Sequence, residues 1–132
     1  MKISGIRVRI GLVAALVLAL VSPAVGQNVI GSYQAYIGTQ DLYNSNGVAL
    51  SAPWQVIRQD RANVHKFGIR QTGDQSDNWF GSAENRAALE TWVMNGSMDP
   101  TARAKIMAGG ATIHVEILGQ GTNATGVRIT VY

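Results

Sequence analysis

The sequence predicts a small α+β domain, an antiparallel sheet of about three strands with two to three helices packed on one face. Three observations lead there. Apolar residues alternate with polar ones near residue 33, the same alternation returns twice in the last twenty residues, and the stretch between carries helix start and stop signals.

The first element is a strand over residues 32–38. Val29, Tyr33, Ala35 and Ile37 fall on odd positions with Ser32, Gln34 and Tyr36 between them, the period of a half-buried strand. Asn44-Ser45-Asn46-Gly47 then marks a turn. Ser51 is placed to cap a helix with Pro53 in its first turn, and Val56, Ile57, Val64 and Phe67 recur at helical spacing until Gly68. Residues 69–81 have loop composition, interrupted only by Trp79-Phe80. Ser82 opens a second helix, with Ala88, Leu89, Trp92 and Val93 on one face and Arg86 and Glu90 one turn apart on another, ended by Asn95-Gly96. Asp99-Pro100 starts a short third helix through Met107, closed by Gly109-Gly110.

Two closing strands complete the pattern. Ile113, Val115 and Ile117 alternate with Thr112, His114 and Glu116, and Val127, Ile129 and Val131 with Arg128, Thr130 and Tyr132. Antiparallel pairing across the loop Gly119–Gly126 puts three β-branched residues of each strand on one face and lets Glu116 meet Arg128 on the other. No internal repeat or interdomain linker interrupts the chain, so residues 27–132 are expected to form one domain.

The first 26 residues have a different character. Lys2, Arg7 and Arg9 precede an uncharged, mostly aliphatic run from Ile10 to Val21, followed by Ser22-Pro23 and the small residues Ala24 and Gly26 ahead of Gln27. This is the pattern of a cleaved export signal, and its apolar run is shorter than a bilayer span needs. The whole chain carries eleven basic and eight acidic residues, a net charge of +3. Without residues 1–26 the balance is eight against eight, so the basic character belongs to the leader and is no nucleic-acid footprint. Export combined with the absence of cysteine suits a bacterial periplasm or exterior, in a domain that folds by packing alone.

No motif of known chemistry stands out. H-E-x-x-H, G-x-S-x-G and a phosphate-binding glycine loop are all missing from the sequence. The segment Asp74-Gln75-Ser76-Asp77-Asn78 offers oxygen ligands, but Trp79 stands where a calcium loop needs glycine and Asn85 where it needs glutamate. Neither a metal nor a cofactor is therefore expected.

The leading expectation is a non-enzymatic binding or interaction module with a protein or envelope partner. Trp79 and Phe80, an apolar pair without periodic support, are its expected contacts, with Asp74 and Asp77 beside them. The secondary candidates are Asp60, Arg61 and His65. Asp60 interrupts an apolar stripe and calls for an arginine such as Arg70 or Arg86, while His65 is expected to face water. The alternative is a small hydrolase or metal-assisted enzyme using His65 or His114 with Asp60, Asp74 or Asp77. A further expectation, a basic helix face for anionic surfaces, rests on Arg58, Arg61, Lys66 and Arg70.

Overall fold

The structure, a computed structural model, describes residues 28–132. The export-signal pattern of residues 1–26 lies outside the described residues. The chain runs from β1 (Asn28–Ile37) through a 3-10 turn (Thr39–Leu42) into helix α1 (Pro53–Ala62), which continues as a widened π turn (Asn63–Phe67). Helices α2 (Ala83–Asn95) and α3 (Pro100–Ala108) follow, and strands β2 (Ala111–Gln120) and β3 (Asn123–Val131) close the chain.

The sheet is antiparallel in the order β1-β2-β3, the predicted α+β architecture with all the helices inserted between its first two strands. Pairing sets Tyr33 opposite Val115 and Ala35 opposite Ile113, and on the far side Val115 opposite Ile129 and Ile113 opposite Val131. One face therefore collects the alternating apolar residues of all three strands. Tyr33, Ala35 and Ile37 of β1 and Ile113, Val115 and Ile117 of β2 are fully buried. Val56 and Ile57 of α1, Leu89 and Val93 of α2, Ile106 of α3 and Phe80 complete the core. On β3, Val127, Ile129 and Val131 are only half-buried, so the helical layer covers the third strand incompletely. On the opposite face Arg128 Nε donates to Glu116 Oε1 at 2.7 Å, the predicted cross-strand pair.

Three boundaries differ from expectation for local reasons. Strand β1 starts earlier, because pairing with β2 continues past a register shift at Val29/Gly31 that interrupts the alternation. Ala52, not Ser51, is the N-cap of α1: Gln55 reaches back and its Oε1 accepts from both the Ser51 and Ala52 amides, replacing the hydroxyl cap. The expected loop between β2 and β3 shrinks to a tight turn, since the strands keep pairing through polar residues as far as Gln120 and Asn123. A bulge at Leu118/Gly119 makes that possible, and a Cβ on Gly119 would overlap the Asn123 carbonyl.

The helical stripe also ends sooner than its spacing suggests. Val64 is buried, but Phe67 at the end of the π turn is 42% exposed. The wider turn rotates Phe67 off the core-facing side before the chain leaves through left-handed Gly68.

Candidate functional site

Arg61 organises one side of the molecule. It is fully buried at the end of α1, with Nε donating to Asp60 Oδ2 at 2.7 Å and Nη1 donating to Asp77 Oδ2 at 2.8 Å and to the Gln75 carbonyl at 3.0 Å. Its guanidinium carbon lies 3.9 Å from the centroid of the Tyr33 ring, a cation–π contact between helix and sheet. Asp60 is thus paired with the adjacent arginine, and neither Arg70 nor Arg86 is its partner. Arg86 instead donates to the Phe80 and Gly81 carbonyls, and Glu90 pairs with Arg58.

Asp77 is the hub of the loop. Its Oδ1 accepts from the Trp79 and Phe80 amides, while Oδ2 takes Arg61 and lies 2.8 Å from His65 Nε2. His65 is correspondingly half-buried against this carboxylate and does not face open water as expected. Arg61 and His65 stand four residues apart, so the helical turn aims both at one acceptor.

The electrostatics follow from burial and partners. Burial works to raise the Asp77 pKa, but His65, the Phe80 amide, Arg61 and the Trp79 amide outweigh it and hold the carboxyl below its usual range. Asp60 goes the other way: burial pushes it up to about 7, against the pull of Arg61. Burial also disfavours the Arg61 charge, yet Tyr33, Asp60 and Asp77 overcome this and keep it firmly cationic. Tyr33 Oη, Asp60 Oδ1 and Arg61 Nη2 are buried with no hydrogen-bond partner among the described residues, so this centre is costly to maintain.

What the centre accomplishes is the closure of the β1 edge. The loop that Arg61 and Asp77 hold lies along β1, where Gln75 donates its amide to the Gln34 carbonyl at 2.9 Å and accepts the Gln34 amide on Oε1, also at 2.9 Å. Asp74 accepts the Tyr36 amide at 2.9 Å and the Gln71 amide at 2.8 Å. At Gln34 and Tyr36 the loop stands in for a fourth strand.

The two expected aromatic contacts part company here. Phe80 is fully buried and meets Tyr33 edge-on at 6.1 Å. Trp79 is half-buried, with its indole lying over Gly31 of β1, where a Cβ would overlap the ring. Asp74 and Asp77 serve to hold this loop. The basic block is largely consumed as well, Arg58 by Glu90 and Arg61 by Asp60 and Asp77. His114 is half-buried on the face opposite the helices, in register with Gln34 and Thr130, and neither a hydrogen bond nor an ion pair joins it to Asp74 or Asp77.

The other edge of the sheet is built differently. Tyr132 donates its amide to the Thr112 carbonyl at 2.9 Å, which turns the backbone groups of Arg128 and Thr130 toward β2 and those of Val127, Ile129 and Val131 away from it. No described residue hydrogen-bonds to these outward groups. Beside them runs a trough between β3 and helices α2 and α3. A hollow of about 310 Å³ is walled by Trp92, Met98, Val127, Ile129 and Val131 among others, and a smaller one of about 170 Å³ by Trp79, Trp92 and Ala124. Trp92 is the wall they share, so the trough has an indole at one end and another near its middle.

An exposed edge is expected on any small open sheet, but the sequence singled out neither β3 nor the trough beside it. Among the described residues no group of three or more His, Asp or Glu side chains is placed to hold a metal ion, and no helix is long and apolar enough to cross a membrane. Comparisons of the chain with protein-family models, with curated proteins and with solved structures find no match in any of the three.

Proposed function

We propose that this chain is an exported, non-enzymatic interaction module of the bacterial envelope that captures an extended segment of a partner protein along β3. The open backbone edge beside an apolar trough carries this reading. Strand addition needs unpaired amides and carbonyls for affinity and side-chain depressions for selection, and Val127, Ile129 and Val131 offer the first next to a trough that offers the second. Indole rings make favourable anchors in such a surface, and Trp79 and Trp92 both line it. The edge also lacks the usual protections against strand pairing. It carries no proline or lysine, and its one charge, Arg128, is drawn to Glu116 on the other face.

The export part rests on residues 1–26 and is tested by the intact mass of the native protein, expected to begin at Gln27; a chain still beginning at Met1 would overturn it. For the binding part, a display library of random nine-residue peptides is selected on the purified protein and amide exchange is followed in the resulting complexes. The expected winners are proline-free, with apolar residues at alternate positions, and they slow exchange at Val127, Ile129 and Val131. Peptides that leave those three amides unprotected overturn the reading. Self-association that protects the same amides makes the occupant a second copy and overturns the partner-protein reading as well.

One observation favours the enzymatic alternative, the 2.8 Å approach of His65 to Asp77. Asp77 nevertheless has both oxygens occupied by two backbone amides and Arg61, which supports an anchoring role for the pair over proton transfer. A hydrolytic activity abolished by His65→Gln with unchanged thermal stability would reverse that preference.

A further inference from the structure

A second depression, remote from β3, has a composition of its own. It measures about 410 Å³ and lies between the turn after Leu42 and the C-terminal end of α1 with its π turn. Two aromatic rings border it, Tyr43 and Phe67, exposed at 43% and 42%. None of its ten lining residues is charged, and the Lys66 Nζ at its margin lies 5.2 Å from the Phe67 ring centroid, a cation–π contact.

Beside the hydroxyl residues Thr39 and Ser45, three side-chain amides of this hollow, Asn44, Gln59 and Asn63, are held in place by hydrogen bonds. Asn63 is buried, with Nδ2 donating to the Gln40 carbonyl at 3.2 Å and to Asp41 Oδ1 at 2.8 Å. Its own oxygen accepts from Gln59 Nε2 at 2.9 Å, which orients the Gln59 amide and leaves Gln59 Oε1 without a hydrogen-bond partner among the described residues. Asn44 Oδ1 accepts the Asn46 and Val48 amides, each at 2.9 Å, and its Nδ2 meets no acceptor among the described residues. Burial raises the Asp41 pKa despite its bonds to Asn63 and Gly38, and this carboxyl sits behind Asn63 as support and does not line the hollow.

We infer that this hollow binds an uncharged saccharide. Aromatic rings offer faces to the C–H surface of a sugar ring, and oriented amides offer both donors and acceptors to its hydroxyls or acetamido group. The lining residues themselves carry no charge, which fits a neutral ligand, and the Lys66 ammonium at the margin is engaged with the Phe67 ring. The two sites are separate, so this one stands whether or not a partner protein binds β3. For an exported protein the ligand class is within reach, since glycans are part of the envelope's own material.

The test titrates the purified full-length protein with tri-N-acetylglucosamine, cellotriose and maltotriose, using a galacturonic acid trimer as the charged control, and follows side-chain amide resonances. At least one neutral trisaccharide is expected to move the Asn44 and Gln59 side-chain signals at millimolar concentration, with the charged trimer inert. Tyr43→Ala and Phe67→Ala, both at exposed positions, should each weaken binding about tenfold while leaving the unfolding temperature nearly unchanged. No movement with any neutral sugar, equal binding of the charged trimer, or binding indifferent to both variants overturns the inference.

Discussion

The two edges of one small sheet have opposite treatments. Along β1, Gln75 takes both outward groups of Gln34 and Asp74 the outward amide of Tyr36, and behind them Asp77 and Arg61 lock the loop to α1. Along β3, the outward groups of Val127, Ile129 and Val131 meet no described residue, and the side chains beneath them are half-covered. A chain of this size has few residues to spend on covering edges. It concentrates its buried polar and ionic groups on one edge and leaves half-buried apolar side chains on the core-facing side of the other. The contrast locates recognition: the closed edge is where the fold is secured, and the open edge is where a further strand can be added.

Breaking the closed edge should have the largest effect. Arg61→Ala leaves Asp60 and Asp77 without their cation in a dry environment and removes the ring contact with Tyr33, at an expected cost of about 3 to 5 kcal/mol in urea unfolding. Exchange at Gln34 and Tyr36 should quicken in this variant, provided it folds, and β3 amides should change least.

The same centre predicts a pH dependence. In the folded protein Asp60 holds its proton up to about pH 7, whereas in the unfolded chain it loses it near 3.8. Between those values the folded state binds more protons, so the Asp60 contribution to stability is full at the acid end and fades as pH rises toward 7. Asp77 acts in the opposite sense, stabilising above its unfolded value and losing that contribution as pH falls through its lowered folded one. Unfolding temperatures measured from pH 4 to 7 should show a decline that is shallower in Asp60→Asn than in the parent. An unchanged slope would remove Asp60 as its source.

Gly31→Ala tests how tightly the loop lies on β1. The added methyl overlaps the Trp79 ring and should cost about 1 to 3 kcal/mol, with tryptophan emission shifted to the red as the indole is displaced. The smallest effect belongs to Arg128→Ala. Its ion pair with Glu116 is exposed, and calorimetry should register less than about 1 kcal/mol.

Much of this contrast was legible in the sequence as far as the fold is concerned. The strands with strict alternation, β2 and β3, were readable because every second residue is β-branched, and the Glu116–Arg128 pair followed from their register. Ser82 and Asp99 marked their helices because their side chains cap directly, Ser82 taking the Asn85 amide and Asp99 the Thr101 amide. The ionic centre was half legible. Asp60 in an apolar stripe required a cation, but spacing pointed away from the adjacent Arg61, whose side chain turns back on its own helix to reach both Asp60 and Asp77. Trp79 and Phe80 could not be separated by sequence, since only the sheet's position decides which ring falls into the core. The trough and the neutral hollow were not legible, because both are made by residues that come together only when helices and turns pack.

Amide hydrogen exchange in the free protein compares the two edges residue by residue. Gln34 and Tyr36, outward on β1 but bonded to Gln75 and Asp74, should exchange slowly. Val127, Ile129 and Val131, outward on β3, should exchange rapidly while Arg128 and Thr130 between them stay protected. Equal protection of all five outward amides would mean that the β3 edge is covered, and would contradict a free strand-binding surface there.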